Sequence, residues 1–136
     1  MIDFKHKIAV IKHFFVSYDI EYIEMMSGML ALFWGIILLL PFDTFSSTPS
    51  YFAMQTIAPE IAWGLAVAIG GMAQMISVLF LSNYARKLTA GISIFIWWFV
   101  AGMFIVSNSI STAVPVYSII ALSSSWSFIR LLQRHN

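Results

Sequence analysis

The 136-residue chain has no cysteine, and only 10% of its residues are charged. Without thiols it can form neither a disulfide nor a thiolate metal site. Soluble domains are about a quarter charged and under half apolar, whereas this chain is 60% hydrophobic. A soluble core of this length cannot bury so much apolar surface. Composition therefore indicates an integral membrane protein, and a net charge of +1 gives no basis for a nucleic-acid partner.

Charge is absent from four long apolar stretches. The first, extended back to Tyr22, is long enough to cross a hydrocarbon layer of about 30 Å as a helix. The last is the most polar, but a serine hydroxyl can bond the carbonyl one turn back and so enter lipid. Acidic residues before the first stretch argue against a cleaved signal peptide. The predicted fold is all-α and polytopic, with a domain of 22–132 and transmembrane helices at about 22–40, 60–82, 88–106 and 113–132.

Lys and Arg are absent from two of the loops between these stretches. All seven basic residues lie before the first stretch, between the second and third, or after the fourth. The positive-inside rule then predicts that both termini are cytoplasmic. The loop 41–59 is placed on the outer side, which is the periplasm if the membrane is a bacterial inner membrane.

Residues 1–21 have a basic amphipathic pattern. Their apolar residues recur at spacings of four and three, which is typical of one face of a helix. Lys5, Lys7 and Lys12 lie on other faces of that helix. We predict an interfacial helix that lies along anionic lipid headgroups, and a helix that binds a cytoplasmic partner is the alternative.

No ionisable residue lies in the middle of a predicted span. Glu21 and Glu24 lie three residues apart at the rim of the first span. Carboxylates in a first helical turn complement the helix dipole and can pair with nearby Lys or Arg. The alternative is a proton or cation site, because intramembrane polar groups are often functional.

A stripe of small residues recurs every four positions along the second span. It contains Ala66 and Gly70 and ends at Gln74. Small residues let helices approach closely, and an amide can hydrogen-bond across the contact. We predict that the first two spans pack along this stripe and a similar one that contains Gly35. A pore-lining role for Gln74 is the alternative.

Trp97 and Trp98 lie near the middle of the third span rather than at its ends, where interfacial tryptophans occur. They are expected to fill space between helices or subunits, and a stacking site for an aromatic ligand is the alternative. All three histidines lie outside the spans, so no buried haem or metal site is expected. With no embedded acid–base pair and no thiol, we expect neither an enzyme nor a cofactor.

The outer loop 41–59 has the composition of a folded segment. Asp43 is expected to fix a turn by bonding backbone amides downstream. Thr48 and Pro49 predict a short helix start, and Pro59 predicts a second. The loop is either a folded connection or a recognition surface, and four side chains are its interaction candidates: Asp43, Tyr51, Phe52 and Glu60.

Several motifs in this region resemble small, largely uncharacterised four-span membrane proteins of bacteriophages and prophages. They are LLPFDTF, TPSY and APEIAWG in and around the loop, the Gly71/Gln74 pair, STAVPVY, and the aromatic–Arg end at 128–130. The resemblance covers most of 30–130 and not the amphipathic start. It implies a host inner-membrane location during infection or lysogeny, and it carries no assigned chemistry. Small multidrug transporters also have four spans, but they need an embedded glutamate, and Glu24 is predicted at the rim.

Two functions fit these features. One is a homo-oligomeric assembly, pore-forming or holin-like, because the chain is small and has close-packing stripes. The other is an accessory or superinfection-exclusion protein that binds another membrane protein through the outer loop or the N-terminal helix. The lipid bilayer is a partner under either hypothesis.

Overall fold

The computed structural model describes residues 19–80, 83–107 and 111–134. The predicted amphipathic helix, with Lys5, Lys7 and Lys12, lies outside them except for its last few residues. Every regular element among the described residues is helical. In chain order the elements are α1 (Asp19–Leu39), α2 (Thr44–Ser47), a 3-10 turn (Pro49–Tyr51), α3 (Phe52–Gln55), α4 (Glu60–Leu79), α5 (Asn83–Val106) and α6 (Ala113–Gln133).

Four of these helices, α1, α4, α5 and α6, are long and apolar enough to cross a membrane. α1 begins three residues before the predicted span, α4 ends three residues before its predicted end, and α5 includes residues 83–87, which were predicted as loop. The difference at α5 arises because a span predicted from composition ends at the first charges. Here the helix continues through Arg86, whose charge is paired.

The long helices alternate in direction and form a ring in which α1 contacts α4, α4 contacts α5, α5 contacts α6, and α6 contacts α1. One end of the bundle carries Arg86 and Arg134, and we call it the basic end. The other end is covered by residues 41–59, which include α2 and α3 and which we call the cap. The cap lies against the end of α5, where Ser107 Oγ donates to the Ser50 carbonyl at 3.0 Å.

Glycines bring α1 and α4 into the closest contact of the bundle. A Cβ added to Gly35 would lie 2.5 Å from the backbone nitrogen of Ala68, and one added to Gly71 would lie 2.5 Å from the carbonyl oxygen of Gly28. Gly64 packs in the same way against the carbonyl of Gly35. The predicted close packing of these two helices is thus present, and Gly35 contributes to it. Backbones this close gain dispersion contacts that larger side chains would prevent.

Of the predicted α4 stripe, Gln74 lies at this contact, 3.4 Å from an added Cβ at Gly28, but Ala66 and Gly70 do not. Ala66 is exposed, and a Cβ on Gly70 would meet Ile96 of α5 rather than α1. A spacing of exactly four drifts by about 40° per step around a helix of 3.6 residues per turn. The stripe that contacts α1, Gly64–Ala68–Gly71, instead has spacings of four and three and stays on one face.

Aromatic rings fill the core of the half of the bundle nearer the cap. Trp34 stacks on Trp97 with ring centroids 6.2 Å apart, and Tyr117 lies 5.9 Å from Trp97 and 5.0 Å from Phe104. Tyr51 of the cap continues the column, 5.1 Å from Phe104. Such rings bury large apolar areas and favour these offset and tilted geometries. The interior of this half is therefore closed by side chains.

Candidate functional site

A buried ion pair joins α1 to α5 near the basic end. Arg86 Nη2 lies 2.6 Å from Glu24 Oε2 and Arg86 Nε lies 3.1 Å from the same oxygen. The two side chains are only 4% and 2% exposed. Glu24 is in the second turn of α1 and Arg86 in the first turn of α5, so parallel α1 and α5 bring them level. The sequence left two interpretations of Glu24 open, a pair with a nearby base and a proton or cation site. The geometry fits the first.

The pair continues toward the surface through two more charges. Glu21 Oε1 lies 3.5 Å from Arg86 Nη1 and 3.5 Å from Arg134 Nη1. Glu21 and Arg134 are 45% and 43% exposed, so solvent screens their interaction and it contributes little stability. The four groups alternate in sign from the interior outward, and their formal charges sum to zero.

One oxygen of Glu24 is not used by this network. Glu24 Oε1 is buried and has no hydrogen-bond partner among the described residues. Beside the carboxylate is a narrow cavity with no room for a water-sized sphere, which is lined by Gln74, Ser124 and Ser127 among others. A carboxylate oxygen in this position can accept a hydrogen bond or carry a proton. Gln74 is buried and lines this cavity between the helices.

A cluster of hydroxyl groups lies one turn further along the core. Ser27 Oγ accepts a hydrogen bond from Trp97 Nε1 at 2.8 Å. It also bonds Ser93 Oγ at 2.9 Å and Ser124 Oγ at 3.2 Å. These bonds tie α1, α5 and α6 together where no water can replace them. Ser125 bonds the carbonyl one turn back, as predicted for serines in lipid, at 2.8 Å.

The two adjacent tryptophans have different environments. Trp97 is 1% exposed and fills space between helices, whereas Trp98 is 46% exposed. Trp98 Nε1 donates to Ser125 Oγ at 3.1 Å, so its polar group is satisfied on the lipid-facing surface. Successive helical residues differ by about 100°, and the sequence alone does not say which of the two faces inward.

The cap is held in place by the carboxylate of Glu60. Its Oε1 accepts the backbone N–H of Thr44 at 3.0 Å, and its Oε2 accepts that of Phe45 at 3.1 Å. Both donors belong to the first turn of α2, where N–H groups have no helical partner. Glu60 was a candidate for interaction with a partner, and the structure instead uses it to join the start of α4 to the cap.

Other cap side chains point into the bundle. Phe45 and Met54 are buried, and Trp63 Nε1 donates to the Met54 carbonyl at 3.1 Å. Tyr51 stacks on Phe45 with centroids 5.0 Å apart, and its hydroxyl accepts a hydrogen bond from Trp34 at 3.4 Å. Tyr51, one of the predicted interaction candidates, is therefore half-buried against core rings, and Met54 is fully buried. Aromatic rings of the core offer them more contact than the surface does.

Asp43 and Phe52 are the two predicted interaction candidates that stay on the surface. Phe52 is 69% exposed. Asp43 is exposed, and its backbone is left-handed with φ 45° and ψ 49°. Its side chain makes no capping hydrogen bond to α2, contrary to the prediction, and the turn uses the Asp43 carbonyl, which accepts the N–H of Ser47 at 3.1 Å. Asp tolerates this conformation better than most residues.

Comparisons with protein-family models, curated proteins and solved structures found no match. Among the described residues, no group of His, Asp or Glu is arranged to hold a metal ion. Two candidate sites remain. One is the exposed part of the cap, and the other is the buried polar cluster near the basic end.

Proposed function

We propose that the protein is a non-enzymatic integral membrane protein that binds another membrane protein through its cap. Its setting would be a bacterial inner membrane, with both termini cytoplasmic and the cap in the periplasm, as the distribution of Lys and Arg favours. The resemblance to phage and prophage proteins adds a phage origin to the proposal. This is the accessory or exclusion function of the two that the sequence allowed.

The main support for the proposal is that the cap is a folded surface with a fixed backbone. Buried anchors and the Glu60 carboxylate fix its backbone, so little conformational entropy is lost when a partner binds. Phe42, Phe52 and Ile57 are each more than half exposed on it. Exposed aromatic and aliphatic side chains on a rigid support are typical of interface anchors.

A recess beside these residues adds shape to the surface. It has a volume of about 400 Å³ and lies between the end of α1 and the start of α4. Asp43, Pro41 and Pro59 are among the residues that border it. The Asp43 carboxylate gives its rim a negative charge, so the preferred partner presents a basic or hydrogen-bond-donating group there.

A pore is less well supported by the same structure. Aromatic rings close one half of the interior, and the Glu24–Arg86 pair occupies the other. A pore between several copies would have to be lined by the outer faces of the long helices, whose exposed side chains are mostly large and apolar. Self-association is compatible with the binding function and stays a prediction.

Photo-crosslinking tests the proposal. A benzophenone amino acid is placed at Phe52 or, as a control with equal exposure on α5, at Phe95. We expect a discrete protein adduct from Phe52 and none from Phe95, in cells of the natural host. Phe52 adducts with lipid alone, or with a second copy of the chain alone, would contradict the proposed binding of a different protein.

The adduct is then tested as a specific interaction. The protein found in it is purified and added to the reconstituted chain, and binding is compared between wild type and Asp43→Lys. We expect weaker binding to the variant by about tenfold, as for a charged contact at an interface. Equal binding of the two proteins would show that the recess is not part of the binding site. Depolarisation of membranes by the chain alone would favour the pore.

A further inference from the structure

A groove runs along the surface of the bundle between α1 and α6. It consists of two adjoining hollows of about 230 Å³ and 270 Å³, which share Leu30 and Ile120. The first hollow reaches Tyr22 and Ser123 toward the basic end, and the second reaches Trp34, Tyr117 and Ala113 toward the cap.

The groove follows from the unequal packing of α1 with its two neighbours. On one side, glycines let the α4 backbone come into direct contact with α1. On the other side, the rings of Trp34 and Tyr117 meet with centroids 5.8 Å apart and hold α6 away from α1. Small residues bring helices together and large ones separate them, so a lateral opening remains on the α6 side.

The groove has the dimensions of a hydrocarbon chain. From Tyr22 to Trp34 it spans 12 residue-to-residue steps of α1, or about 18 Å at 1.5 Å per step. One leaflet of hydrocarbon is about half of a 30 Å layer. The length of the groove therefore matches one acyl chain of one leaflet.

Within the part of the chain that the structure describes, positive charge lies beyond one end of the groove only. Arg130 and Arg134 follow Ser123 on the same face of α6, at spacings of seven and four, and Arg130 is about 10 Å from Ser123 along the axis. The Arg130 guanidinium lies 4.7 Å from the centre of the Trp126 ring, which holds it at that level. The described residues at the cap end include Asp43 and no Lys or Arg.

We propose that the α1–α6 groove binds one anionic phospholipid, with an acyl chain along the groove and the phosphate near Arg130 and Arg134. Apolar walls bind the chain, and the two guanidiniums bind the phosphate. The site is separate from the cap, so it does not depend on the proposed binding of a partner there. Arg134 also contacts Glu21 at 3.5 Å, and a guanidinium has enough donors to bind both groups.

Native mass spectrometry of the full chain tests this site. The protein is released from nanodiscs that contain equal amounts of phosphatidylglycerol and phosphatidylcholine, which have the same chains and differ in headgroup charge. We expect one retained lipid per chain, with phosphatidylglycerol preferred about 25-fold, at about fivefold for each guanidinium. The Arg130→Gln/Arg134→Gln variant should lose about fivefold of this preference for each charge removed, whereas Lys87→Gln, which removes a base from α5, should not.

A second pair of variants tests the groove itself. Ser123→Phe fills the hollow and should reduce retention of both lipids, while Ser123→Ala, which keeps the hollow open, should retain them. Gly102→Phe is the control, because nothing lies within 4 Å of a Cβ at that position on α5. Equal retention of the two lipids by wild type would overturn the headgroup assignment. Unchanged retention in Ser123→Phe, or dimers that retain no lipid, would overturn the groove as the site.

Discussion

Removing Glu24 should destabilise the protein far more than removing Glu21, although both are carboxylates of α1 one turn apart. In Glu24→Ala the guanidinium of Arg86 stays 4% exposed and loses the oxygen that it contacts at 2.6 Å. In Glu21→Ala the lost partner is 45% exposed and 3.5 Å away. The first change leaves the buried guanidinium with only the half-exposed Glu21 at 3.5 Å, and the second removes a solvent-screened contact.

The magnitude follows from two opposing terms. Unit charges 2.6 Å apart at an effective dielectric constant of 20 attract by about 6 kcal/mol. Burying each ion costs several kcal/mol, so the intact pair adds little net stability. Loss of one partner removes the attraction and leaves the burial cost of the other, which amounts to about 3–5 kcal/mol. Glu21→Ala should cost less than about 1 kcal/mol.

Equilibrium unfolding in mixed micelles measures these differences. Wild type, Glu24→Ala, Glu21→Ala and the double variant Glu24→Leu/Arg86→Met are compared at one pH and salt concentration. The double variant should be more stable than Glu24→Ala, because it leaves no buried charge. If Glu24→Ala costs no more than Glu21→Ala, the pair is not buried in the membrane-embedded protein and the reasoning fails.

Three further predictions concern packing and the cap. Gly35→Ala should lower the free energy of unfolding by about 1–3 kcal/mol through overpacking. Gly102→Ala should leave it unchanged in the same assay, since the space at Gly102 is open. Equal effects of the two changes would refute the close contact. Glu60→Gln weakens two charge-assisted bonds to the cap and should speed proteolysis or hydrogen exchange of the cap; unchanged exchange would count against that role. Trp97→Phe should lower the melting temperature more than Trp98→Phe, because only the first change leaves buried serines short of a donor. The reverse order of melting temperatures would contradict the described core.

Rotation of the helices about their axes decided most of what the sequence analysis missed. Glu24 and Arg86 are separated by 62 residues, and their pairing requires a particular rotation of both helices. The rotation of α4 likewise turns Gly64 and Gly71 toward α1 and leaves Ala66 exposed. A stripe of small residues shows that close packing is available, but a helix can have several such stripes.

The sequence by itself determined the number and approximate position of the long helices, because backbone groups in hydrocarbon must be satisfied within a helix. It also located the folded segment 41–59 through its prolines and carboxylates. Only the tertiary structure decided the use of each side chain: Glu60 holds the cap, Tyr51 joins the core, Asp43 and Phe52 remain exposed, and Glu24 pairs across the bundle. Such roles depend on distances between helices, and one-dimensional spacing does not contain those distances.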